Sequence, residues 1–185
     1  MKSFNFFWIV VLVLSSFAIT SCDKDDDSSS ADGPNEISIG NQTFSIASSF
    51  KRPGNLISEG VYEHEIYFLG NGLTHSDNGT ISGEGSMVYA NIYTDSENGL
   101  VAGTYNYPPF GEDPGAFSIR FVTAGVNLDF DDPNGTNPEN ISNGSSGSVT
   151  ISGTGADMQM IVDITATNTN KIEADFKGSL PVVQN

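Results

Sequence analysis

Cysteine and histidine are almost missing from this chain, and each scarcity closes a class of function. One Cys in 185 residues leaves no partner for an intrachain disulfide, and two His are too few for a Cys/His zinc set. Basic residues are scarce too, with 7 Lys and Arg against 23 Asp and Glu and a formal net charge of -16. A phosphate backbone is held by clustered cations, so nucleic acid is excluded as the main partner. No stretch behind the N-terminus sustains a 3.6-residue apolar stripe long enough for a helix. What is abundant is glycine, at 20 residues, and a hydrophobic share of 37% that is enough for one core.

The N-terminus carries the clearest statement. Lys2 precedes the apolar run Phe6 to Leu14, and small residues follow as far as Ser21. A positive start, a short apolar middle and a small-residue end form a secretory signal, predicted over residues 1–21. The run is shorter than the roughly 18 to 20 residues that span a bilayer. The only cysteine lies where cleavage would occur, in Ile19-Thr20-Ser21-Cys22, and the segment resembles the lipobox of bacterial lipoproteins, in the form found in Bacteroidota. That resemblance implies lipidation of Cys22 and a membrane held by a lipid anchor rather than by a span. Behind it, Asp23 to Ser30 is an acidic run followed by a Ser tract, and residues 22–35 are read as a solvated tether. Lys24, Asp25 and Asp26 resemble the export signal that sends Bacteroidota lipoproteins to the outer face of the outer membrane, which implies display towards the cell exterior. A solvated linker on a periplasm-facing lipoprotein is the alternative.

From Glu36 onward the pattern has period two, and residues 36–185 are predicted to form a single all-β domain. Ile37 and Ile39, a turn at Gly40-Asn41, then Phe44 and Ile46 predict a hairpin. A strand is expected from about Ser58 to Leu69, and another from Gly85 to Thr94 with Val88, Ala90 and Ile92 on one face and Met87, Tyr89, Asn91 and Tyr93 on the other. Gly99 to Tyr107 is expected to be extended, and Phe117, Ile119 and Phe121 alternate with polar neighbours. The last third predicts a three-strand antiparallel meander, with Val149 and Ile151, then Met158 to Ile164, then Ile172, Ala174 and Phe176 on the buried side. The stretch from about Asp131 to Ser148 reads as a long loop. Nine or ten short strands fit an antiparallel β-sandwich, the favoured expectation, or an up-and-down, lipocalin-like β-barrel.

Candidate chemistry is sparse. Asp129, Asp131, Asp132 and Asn134 gather hard oxygen donors of the kind calcium takes, although the spacing is not that of an EF-hand. A solvated acidic turn around Asn134-Gly135 is the other reading. No other cofactor is implied. His64 lies between Glu63 and Glu65, but on a strand it must point away from both, and same-strand carboxylates are not an opposed catalytic pair. No nucleophile elbow occurs, so no catalytic constellation is found and the chain is read as non-enzymatic. Tyr89 and Tyr93 share a strand face and are candidates for a glycan-binding surface, against the alternative of ordinary cross-strand packing.

Two classes of function follow. The first is an accessory or structural subunit docking on an outer-membrane protein complex; the second is a glycan- or small-ligand-binding module at the cell surface.

Overall fold

The computed structural model describes residues 35–109, 112, 114–132 and 141–184. Apart from one short 3-10 turn at Gly155–Asp157, every regular element among them is a strand. In chain order these are β1 (Glu36–Ile39), β2 (Gln42–Lys51), β3 (Asn55–Ser58), β4 (Val61–Gly70), β5 (Leu73–His75), β6 (Ile81–Thr94), β7 (Gly103–Asn106), β8 (Ser118–Asp129), β9 (Ile141–Ser152), β10 (Gln159–Ala166) and β11 (Lys171–Lys177).

The strands do not divide into the two sheets of a sandwich. They run as one antiparallel meander, β1-β2-β4-β6-β8-β9-β10-β11, and β11 returns to β1 through pairs from Glu36↔Asp175 to Ile39↔Ile172. With β7 wedged where β8 and β9 diverge, the result is a closed 9-strand barrel, the alternative architecture, with β3 and β5 as additional strands outside the ring. The physical reason is continuity. The β4–β6 ladder extends from Tyr62↔Thr94 to Leu69↔Met87, so the sheet has no break at which two layers could separate. Register shifts at Ile46/Ser48, Asn91/Ile92 and Thr165/Ala166 supply the local bends that let strands coil into a ring.

Inward-facing side chains fill one continuous core, including Ile37, Phe68, Val88, Ile92, Ile119, Val122, Met160, Ile164 and Ile172. A second, smaller cluster lies on the outer face of β2, β4 and β6, where Phe50, Leu69, Leu73 and Val183 are buried and Tyr67, Ile81 and Met87 pack against them. Met87 and Tyr67 therefore occupy a second apolar layer rather than an open sheet surface.

Two strand readings need correction. The supposed loop up to Ser148 is in fact strand from Ile141 onward. Its sequence lacks alternation because the barrel leaves no room there: a Cβ on Gly144 would approach Ile164 Cγ2 to 2.7 Å and strike the Tyr107 hydroxyl, so Ile164 of the neighbouring β10 and Tyr107 already fill the space. The run Phe117, Ile119, Phe121 does not share one face. Ile92 pairs with Ile119 and Asn91 with Phe121, so Arg120 is the extra residue of a bulge, and Phe121 turns outward while Ile119 stays in the core.

Candidate functional site at the barrel mouth

At one end of the barrel β2, β6, β9 and β11 finish while β4, β8 and β10 begin. Lys51 is the last residue of β2. Its backbone N–H donates to the Pro181 carbonyl and its own carbonyl accepts from the Val183 N–H, each at 2.9 Å, so the C-terminal segment is tied against it. The bulge at Ile46/Ser48 decides where the side chain goes. Before the bulge the even-numbered residues Phe44 and Ile46 face inward; after it Phe50 pairs with outward-facing Tyr67, and Lys51 pairs with core residue Ile66. Lys51 thus points into the barrel mouth and is only 9% exposed. Burial lowers its pKa from the ordinary lysine value. Among the described residues the ion pairs are Arg52–Glu65, Arg120–Glu63 and Lys171–Asp163, and no carboxylate answers Lys51.

His64, inward on β4, is fully buried near the same end. A carbonyl can only accept, so the 2.8 Å contact between Nε2 and the Ser96 carbonyl fixes the proton on Nε2. Nδ1 is then a bare, buried lone pair with no partner. Burial lowers the His64 pKa; the Ser96 carbonyl opposes that shift, and the positive charge of Lys51 adds to it. The ring also lies against backbone, since a Cβ on Gly54 would come within 2.7 Å of Cε1. Ser96 in turn is anchored by Thr94, whose hydroxyl donates to the same carbonyl at 2.8 Å. The turn after β6 is thereby fastened to β4 from inside the barrel.

Two clefts flank Lys51 and Val182. The first, of about 250 Å³, is walled by Leu100, Met158, Leu180 and Val182, with Asn98, Thr154 and Ser179 as its polar side chains. The second, of about 280 Å³, lies towards Pro53, Gly54, Glu97 and Gln184. An apolar wall, a few hydrogen-bonding groups and one buried cation are the ingredients of a small-molecule site at the mouth of a barrel.

The residues singled out from sequence are placed elsewhere. Tyr89 stands in a row of rings across the outer face: Phe50 stacks on Tyr67 at 4.5 Å, Tyr67 meets Tyr89 at 4.7 Å, and Tyr89 meets Phe121 at 5.1 Å. Arg52 and Arg120 sit over the rings of Tyr67 and Phe121 respectively. Tyr93, also outward, is 4% exposed. Glu63 is paired with Arg120, and Glu65 accepts from Arg52 at 3.2 Å and from the Tyr67 hydroxyl at 2.9 Å. Asp129 accepts the backbone N–H groups of Asp131 and Asp132 through one carboxylate oxygen, at 2.9 and 3.0 Å, which is the hydrogen bonding of an Asx turn. Asn134 lies outside the described residues, as do Cys22, Lys24, Asp25 and Asp26. Lys51 was not legible as a site residue, because straight alternation from Phe44 and Ile46 assigns it to the outside.

In comparisons with known proteins the chain matches no family model, no curated protein and no solved structure.

Proposed function

We propose that this chain is a lipid-anchored protein of the outer-membrane surface whose closed, lipocalin-like barrel holds a small amphiphilic molecule at its mouth without transforming it. The observation that carries the reading is the convergence of the apolar first cleft on Lys51, a largely buried lysine with no carboxylate partner among the described residues. The membrane part rests on the lipobox-like segment ending at Cys22 and on Lys24, Asp25 and Asp26. Titration of the full-length protein in detergent micelles with a panel of short amphiphiles, read by calorimetry against empty micelles, tests the ligand reading. Saturable one-to-one binding of at least one class is expected, and heats indistinguishable from empty micelles across the panel would reject it. The anchor has its own test. Cys22→Ser should abolish labelling by a radioactive fatty acid and release the protein from membranes, and replacing Lys24, Asp25 and Asp26 together by Ala should remove its accessibility to protease on intact cells.

A second reading, docking on an outer-membrane protein complex, is favoured by β3. Among the described residues this strand pairs with β4 alone, and it presents Leu56 and Ile57 at 64% and 47% exposure. An exposed apolar edge strand is a ready surface for strand addition. A partner recovered in near-equal amount from mild detergent, and lost on Leu56→Asp with Ile57→Asp, would support this role; recovery of the protein alone would remove it. A glycan platform is less well served, because the ring faces of Phe50, Tyr67 and Tyr89 pack on one another and a sugar needs an open face.

A further inference from the structure

The protein has 23 acidic side chains, yet the Lys51 ammonium has no ion pair with any described residue. The Lys51 side chain is largely buried in the wall of the mouth, and its partly desolvated charge is stabilised when a counter-charge or further hydrogen bonds meet it. Its position is not an accident of a flexible side chain. Both backbone groups of Lys51 are committed to the C-terminal segment, and the β2 bulge turns the residue inward. The two clefts beside it differ in charge. The second includes Glu97, which would repel an anion, whereas no acidic side chain among the described residues lines the first.

We propose that Lys51 is the anion-binding group of the barrel mouth and that the first cleft takes a small monocarboxylate with a short apolar body. The proposal rests on the ligand-binding reading above and adds the headgroup to it. The carboxylate lies at Lys51, with Asn98, Thr154 and Ser179 as further donors, while the body lies against Leu100, Met158 and Leu180. One cation answers one negative charge, and a protein at -16 repels a more highly charged ligand. Size is bounded as well. At about 30 Å³ per water-sized unit, a cleft of about 250 Å³ holds a molecule the size of hexanoate rather than a long-chain acid.

The test uses the full-length protein in detergent micelles and compares hexanoate with hexanamide, which has the same carbon chain and no charge. Hexanoate is expected to bind one-to-one and at least tenfold more tightly than hexanamide. Lys51→Met keeps the apolar stem of the side chain and removes its ammonium; it should lose hexanoate binding at least tenfold while melting at the same temperature as the parent or higher, because a partly desolvated charge is gone. Asn98→Asp, an exposed change at the rim that leaves Lys51 in place, removes one donor from both probes and adds repulsion for the anion alone, so it should weaken hexanoate several-fold more than hexanamide. Equal affinity for the two probes, or hexanoate affinity unchanged in Lys51→Met, would overturn the anion assignment while leaving ligand binding at the mouth intact. Absence of binding by both probes and by the wider panel would overturn the two readings together.

Discussion

His64 is a neutral imidazole by construction, with its one proton donated to Ser96 and its other nitrogen buried without a partner. Its pKa in the folded protein is below the unfolded value of 6.5, so as pH falls the unfolded chain takes up the proton first. The stability this group contributes is therefore present above about pH 6.5 and is lost as pH falls towards the folded value. Melting curves between pH 7.5 and 5.5 should show a falling midpoint, and His64→Phe should flatten that fall. The variant loses the bond to Ser96, whose carbonyl keeps its Thr94 donor, so the cost at pH 7.5 should be about 1 kcal/mol. A variant with the same pH slope as the parent would show that His64 does not carry it. At this scale strand alternation was a partial guide. It correctly turned His64 away from Glu63 and Glu65, since nothing interrupts β4 between them. It failed for Lys51 and Phe121 because one extra residue, near Ser48 in one case and at Arg120 in the other, inverts every later side chain of the strand. No residue type marks such a bulge in advance.

Individual strands were legible where their buried positions carry large apolar groups. The alternations in β6, β10 and β11 name side chains that are now in the core, such as Val88, Ile92, Met160, Val162 and Ile172. The first half of β9 was hidden for the opposite reason: Gly144 has no side chain because Tyr107 and Ile164 already occupy the interior there, and a strand recruited as a wall for its neighbours shows no pattern of its own. The outer ring row is likewise a property of several strands at once, because Phe50, Tyr67, Tyr89 and Phe121 come from β2, β4, β6 and β8. Phe50 is fully buried at the head of this row, outside the barrel core. Phe50→Ala should cost about 3–5 kcal/mol, the usual loss for a buried aromatic, and it should do so without altering affinity at the mouth. Urea unfolding monitored by far-ultraviolet circular dichroism measures this. A loss below about 1 kcal/mol would mean that the outer cluster adds little beyond its own contacts with solvent.

A sandwich and a closed meander bury the same alternate residues, so the whole-molecule choice between them rested on which distant strands meet, above all β1 with β11, and no local pattern encodes that. Closure has a consequence at the mouth. The segment after β11 does not leave the barrel but crosses its end: Leu180 enters the inner core, Val183 enters the outer cluster, and Lys51 is clamped by backbone bonds to Pro181 and Val183 between them. This short clasp joins the two apolar layers and supplies Leu180 and Val182 as cleft wall. Burial of Leu180 and Val183 is worth up to about 1.5–3 kcal/mol each, an upper bound because the unfolded chain already buries part of this surface. A chain ending at Gly178 should therefore unfold at clearly lower urea while keeping its strand signal in the absence of denaturant, since no ring strand is removed. It should also lose binding at the mouth, because Lys51 becomes open to water and regains the ordinary lysine environment. The paired substitution Leu180→Ala with Val183→Ala separates the two effects: it keeps both backbone bonds to Lys51, so binding should survive better than stability. Equal loss of both in the two variants would show that the clasp acts through its apolar contacts alone and not by holding Lys51.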